Sequence, residues 1–241
     1  MKNLFLLATV TIVVSFVSFG QSVPEMSTGK NATFTTTKLI KGWQISGESV
    51  CCDIYLDTAT HYSGKASGTI KSKLFTNDVK SKTAYLMQTI KADNYRGKRL
   101  RMSAYVKSEN VERATLWMRM DGQDMKVFGL DAMDNRPIKG TIDWQKYDLI
   151  LDVPVETQQI VFGVNLKGNG QIWIDDIKFE DVALNVPTTS IKSPAEWEEG
   201  SAERIEQYKT TNKEDYERQL RAFLKRDETA PLAPANLDFE N

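Results

Sequence analysis

Between Thr36 and Val182 apolar side chains recur at every second position in short runs, separated by Gly, Asn, Asp and Pro. A period of two sends alternate side chains to opposite faces of an extended chain, so this region predicts strands rather than helices. The runs are "WQISG" (43–47), "CDIYLD" (52–57), a turn and strand in "HYSGKASGTIKS" (61–72), then "AYLMQTIKA", "KRLRMSAYVKS", "ATLWMRMDG", "MKVFGLD", "WQKYDLILDVP", "QIVFGVNLKG" and "GQIWIDDIKFEDV". Hairpin-type turns are expected at Asp121-Gly122 and Asn169-Gly170. About ten strands suit an all-β fold, a jelly-roll-like β-sandwich of two packed sheets.

Two runs assign their own faces. Met102, Ala104 and Val106 alternate with Arg101, Ser103, Tyr105 and Lys107, which points the first set to the core. Leu116, Met118 and Met120 alternate with Trp117, Arg119 and Asp121, so an aromatic ring, a cation and an acid share the other face.

After Val182 the texture changes. Residues 183–232 read as a polar linker and a helical insert, charged and free of β-branched runs. Ser193 and Glu196 have capping-box spacing, Pro194 suits the first helical position, and Asn212 is the expected cap of a second helix. Apolar stripes run through Trp197, Ile205 and Tyr208, then Tyr216, Leu220, Phe223 and Leu224; stripes this narrow imply docking on the sandwich. Prolines in "TAPLAP" halt the helix, and residues 233–241, "APANLDFEN", read as a strand returning to the sheet.

Residues 1–20 have Lys2 followed by an apolar run to Phe19 and small residues at Ser18 and Gly20, the pattern of a secretory signal peptide cleaved before Gln21. A flexible segment, 21–35, then precedes the sandwich at 36–182. The expectation is a protein exported to the periplasm or beyond, with no membrane attachment after cleavage. With 31 basic against 32 acidic side chains, the formal charge of −1 gives no footprint for nucleic acid. Cys51 and Cys52 are adjacent; they can bond to each other only through a strained ring, and on a strand they would face opposite ways, so two free thiols are expected, one of them in the core.

The stretch from Trp43 to Val182 resembles the jelly-roll carbohydrate-binding modules in "HYSGKASGTI", "YRGKRLRMSAYVK", "DWQKYDLIL" and "GQIWIDDIKFE". It is also similar to small bacterial proteins labelled AraC-type transcriptional regulators, through "WMR", "RPIKGT", "DW", "LDVP" and "NLDFE". The first resemblance implies a galactose-binding-like sandwich. The regulator label fits poorly with a signal peptide and with no recognisable helix-turn-helix, and the helical insert departs from that group's pattern. In the modules a segment like "NLDFE" opens the domain; here it stands at 236–240, which implies a circular permutation with the tail pairing near Trp173. The rival reading has "NLDFE" begin a further domain. The resemblance also implies a structural Ca2+ held by Asp175 or Asp176 with Glu240 and carbonyls near Lys65; the alternative is acids that merely cap a sheet edge.

Catalytic signatures are absent: His61, the one histidine, sits in a turn, and there is no nucleophile elbow, phosphate loop or zinc-protease motif. No pair of acids is singled out for glycoside hydrolysis. The expectation is a noncatalytic binding protein taking a glycan or small molecule on a sheet face, through Trp117, Arg119, Asp131, Met133, Asp134 and Arg136. An alternative for the same residues is a partly buried ion pair between Arg119 and one of these acids, Asp131 or Asp134, that holds two strands together under a Trp117 lid. Other functions stay open too: a protein-interaction or structural role through the helical insert, an accessory or regulatory domain, and an unrecognised hydrolase.

Overall fold

A computed structural model describes residues 40–47, 51–73 and 82–241. The expected signal peptide at 1–20, the expected 21–35 segment and the expected start of the sandwich at 36 lie outside these residues.

Among the described residues the alternating runs form β1 (Gln44–Gly47), β2 (Cys52–Asp57), β3 (Ser67–Ser72), β4 (Thr83–Lys91), β5 (Arg99–Asp121), β6 (Val127–Asp131), β7 (Ile138–Asp152), β8 (Gln159–Lys167) and β9 (Gln171–Val182). Hydrogen bonds connect them in the order β1-β4-β8-β5-β9-β3-β2, with β6 and β7 also on β5. All the pairings are antiparallel.

The runs "KRLRMSAYVKS" and "ATLWMRMDG" are one strand. Residues 99–109 of β5 pair with β9, residues 113–121 pair with β8, and register shifts between Val106 and Ala114 on the β7 side bend the strand between the two. β5 thus belongs to both layers of the sandwich. Met102, Ala104, Val106, Leu116, Met118 and Met120 are all buried on the inner side with Leu86, Ile90, Phe162 and Val164, as their alternation predicts. At about 25 cal/mol per Å2 of apolar surface removed from water, this one core is the main stabilising term.

The insert forms α1 (Pro194–Thr211) and α2 (Lys213–Thr229). The capping box is present: Glu196 N donates to Ser193 Oγ at 3.4 Å, and Ser193 N donates to Glu196 Oε2 at 2.8 Å. Asn212 stands at the N-cap of α2, but its side chain makes no capping bond, contrary to expectation. Helix α1 docks on β6, where Ser201 Oγ accepts from Val127 N at 3.0 Å. Tyr216 and Phe223 are buried, whereas Leu224 of the predicted stripe is exposed.

The tail returns to the sandwich, but as turns and not as a laddered strand. Asn236 and Phe239 take φ values of 50° and 57°, in the left-handed region that ends an extended run. The backbone link to β9 is Ile177 N donating to the Leu237 carbonyl at 3.1 Å, beyond Trp173 in the chain. Phe239 fills the place of a core strand residue with 1% exposure, over Gly68; a Cβ at Gly68 would collide with the Phe239 ring.

Candidate binding site

Strands β4, β8 and the second half of β5, with β6 beside it, turn one face to the core and the other outward. Register sets the outward side chains in rows across the sheet. Tyr85, Asn165 and Thr115 form one row, and Met87, Gly163 and Trp117 the next. Thr89, Val161, Arg119 and Leu130 follow, then Lys91, Gln159, Asp121 and Val127.

Met87, Trp117 and Val161 make an apolar cluster separate from the main core, with Tyr85 and Ala132 against it. Tyr85 meets Trp117 edge-on, ring centroids 6.0 Å apart. Gly163 lies between Met87 and Trp117, where a Cβ would collide with the Leu86 carbonyl, so the strands approach closely there and no side chain separates the two neighbours.

Next to this patch the polar groups are locked. Arg119 grips Asp121 with both ends of its guanidinium, Nε to Oδ1 at 2.6 Å and NH2 to Oδ2 at 2.7 Å. Arg226 of α2 approaches the same carboxylate at 3.6 Å and donates from Nε to Gln159 Oε1 at 2.8 Å. Gln159 Nε2 in turn donates to the Phe223 carbonyl at 3.3 Å, so α2 walls off this end of the face. Burial opposes the Arg119 cation, but the Asp121 carboxylate prevails and holds its pKa above the ordinary arginine value. Arg226 is pulled below that value by burial, against the attraction of Asp121. Burial also raises the Tyr85 phenol, with Arg119 opposing.

Two buried polar atoms on this face have no hydrogen-bond partner, Trp117 Nε1 and Thr89 Oγ1. Trp117 is 8% exposed and Thr89 4%. Buried donors are normally paired, so an orphaned indole N–H marks a place where an acceptor is wanted.

The six residues singled out in the sequence do not gather into one site. Trp117 and Arg119 share the outward face, and Asp134 reaches its rim by accepting from Arg113 NH2 at 2.8 Å. Asp131 pairs in register with Met118, which places it on the core side; it accepts from Met133 N at 2.9 Å and Arg136 NH2 at 2.5 Å. Met133 is 1% exposed, inside the core. The reason is parity: β6 ends at Asp131 with that side chain inward, and the chain then turns at Met133, whose φ is 51°. The alternative ion pair of Arg119 with Asp131 or Asp134, holding two strands together, does not form: Asp131 pairs with Arg136, Asp134 with Arg113, and Arg119 with Asp121 on its own strand.

The acids expected to hold Ca2+ engage backbone N–H groups and one ammonium. Asp175 is fully buried and accepts from Tyr62 N and Ser63 N through Oδ2 and from Asp176 N through Oδ1, at 2.7–2.9 Å. Burial holds this carboxyl above the usual carboxylate range, with the N–H donors pulling the other way. Asp176 pairs with Lys178 at 2.8 Å, and Glu240 Oε1 accepts from Lys65 N at 2.5 Å. Among the described residues no three His, Cys, Asp or Glu side chains converge to hold a metal. Asp176 Oδ2 accepts from the Lys178 ammonium, and Asp175 and Glu240 accept from N–H groups of residues 62–66. They clamp the 61–66 loop.

Tyr85, Asn165 and Arg226 were missed in the sequence, and Asp121 was placed on the face with Trp117 and Arg119 but not among the site residues. Alternation with Leu86 and with Val164 could have placed the first two on the outward face, but nothing local announces that Arg226 reaches Asp121. Missed as well is an aromatic group on the other layer, where Tyr62 stacks on Tyr105 at 3.5 Å and Trp144 meets Tyr62 edge-on at 5.9 Å.

In class, then, the chain is a β-sandwich of jelly-roll type that resembles the carbohydrate-binding modules, with a helical insert packed beside one sheet face. No family model matches it. A curated relative, the uncharacterized HTH-type transcriptional regulator YbfP of Bacillus subtilis (strain 168), is 42% identical over 171 residues, covering 70% of this chain. The chain spans 57% of that relative's length. Similar solved structures include the CBM22-1 xylan-binding domain of Paenibacillus barcinonensis Xyn10C, 11% identical with a TM-score of 0.42, over 59% of this chain and 86% of that one. Another is the C-terminal family 22 carbohydrate-binding module of Clostridium thermocellum Xyn10B, 14% identical with a TM-score of 0.42, over 62% and 90%. The tailspike protein 4 enzymatically active domain of bacteriophage CBA120 is 14% identical with a TM-score of 0.47, over 60% of this chain and 20% of that one.

Proposed function

We propose that the protein is an exported, noncatalytic binding module whose outward face around Trp117 takes a polyhydroxylated ligand, a glycan or a small molecule of the same chemistry. The observation that carries this reading is the buried, unpartnered Trp117 Nε1. A sugar presents apolar C–H faces ringed by hydroxyls. Its hydroxyl oxygen would accept from the indole N–H once the 8% exposed Trp117 side chain swings outward, while its C–H face would lie on Tyr85, the partly exposed ring of the cluster. Thr89 Oγ1 offers a second bond in the next row. Arg119 is neutralised by Asp121, so the face suits a neutral ligand better than an anionic one.

The test is a glycan array spanning plant, algal and host polysaccharides, probed with the native protein and with Trp117→Phe. Phe keeps an apolar ring at 117 and removes the N–H donor. A reproducible signal that falls at least tenfold in the variant supports the reading, and silence across the array contradicts it. A second reading, a protein partner on the helical insert, draws on the exposure of Ile191 and Leu224, 62% and 50%. Pull-down from a periplasmic extract that is lost when residues 193–226 are replaced by a short linker would favour it.

A further inference from the structure

The adjacent cysteines are not placed as an alternating strand would place them. Cys51 sits in the turn before β2 and Cys52 is the first residue of the strand, so the two do not alternate across a sheet. Both side chains are buried in the same core cluster, with 7% and 4% exposure, and their sulfurs lie 3.0 Å apart. A disulfide requires about 2.05 Å, so closure needs a movement of about 1 Å between two atoms already facing each other. The backbone on either side is anchored: Lys73 N donates to the Cys51 carbonyl at 2.8 Å, and Cys52 pairs with Ser72.

We infer that Cys51 and Cys52 are a redox-active dithiol that closes into a vicinal disulfide when the protein meets a small disulfide oxidant. The site is independent of the Trp117 face, since it lies at the start of the edge strand of the other layer. The Cys51 thiol loses its proton and attacks one sulfur of the oxidant XS–SX, forming a mixed disulfide and releasing XSH. Cys52 then attacks the Cys51 sulfur, expels the second XSH and completes the ring. Two protons and two electrons leave the protein, and one S–S bond is exchanged for another. Burial first, then the hydrogen bond with the Cys51 sulfur, push the Cys52 thiol above the ordinary cysteine range. Cys51, with 7% exposure against 4%, is the thiol that the oxidant reaches first, and Cys52 acts as the resolving partner.

The experiment incubates the full chain with 2-hydroxyethyl disulfide, quenches with acid, unfolds, alkylates and measures intact mass. The reduced protein should take up two alkyl groups. The oxidised protein should take up none, weigh two hydrogens less, stay monomeric on a non-reducing gel and recover both thiols with dithiothreitol. Cys52→Ser should stop at the mixed disulfide on Cys51. Persistence of two alkylatable thiols, a stable mixed disulfide on the native chain, or a disulfide-linked dimer would each overturn the inference.

Discussion

Phe239 stacks on Trp43 with ring centroids 4.9 Å apart and an interplanar angle of 22°, joining the tail to the first described turn of the chain. The same tryptophan donates from Nε1 to the Asn236 carbonyl at 3.0 Å, so ring contact and hydrogen bond close one clasp. Asn236 also binds its own turn, accepting from Asn241 N at 2.9 Å.

Phe239→Ala should destabilise the fold by about 3–5 kcal/mol, the cost of emptying a fully buried phenylalanine site. Urea unfolding followed by tryptophan fluorescence measures it. An unchanged midpoint would mean the tail is not part of the core.

Asp121 balances two arginines, Arg119 at 2.6 Å and Arg226 at 3.6 Å, with its own side chain only 3% exposed. Asp121→Asn should cost about 3 kcal/mol, because it leaves buried cations without their counter-charge. It should also loosen α2, which limited proteolysis would detect as faster cleavage within 213–229. Equal cleavage rates in both proteins would show that the ion network does not hold the helix.

The α1 cap should make stability depend on pH in a predictable direction. The Ser193 hydroxyl, then its backbone N–H, hold Glu196 below the ordinary glutamate value. A carboxyl whose folded pKa is depressed contributes stability above its unfolded pKa and loses it as pH falls through the folded one. The stability advantage of the native protein over Glu196→Gln should therefore be full above the ordinary glutamate pKa and shrink below it. Unfolding curves taken across that range check the sign.

The fold was legible because alternation is a local signal that the core enforces: Met102 to Val106 and Leu116 to Met120 point inward as their period requires. The single strand β5 was not, since the polar "SENVER" between its two halves looks like a turn and is held extended by long-range pairing with β7 and β9. In the tail, "NLDFE" has strand-like composition, but Asn236 and Phe239 adopt positive φ under tertiary constraint. The candidate site was half legible. Trp117 and Arg119 follow from parity within one strand, whereas Asp131 and Met133 depend on where β6 stops and which way the chain then folds. The partner of Arg119 lay two residues away on the same face, visible in the pattern but passed over for more distant acids.

The central claim is that the indole N–H of Trp117 is the donor a ligand satisfies. It is tested most directly by following the tryptophan Nε1–H resonances in a 1H–15N NMR titration with xylo- and gluco-oligosaccharides, the Trp117 peak assigned through Trp117→Phe. The account predicts that the Trp117 peak moves saturably, while that of Trp43, whose N–H is already bonded to Asn236, stays in place. A Trp117 peak that stays fixed while resonances elsewhere shift would contradict it.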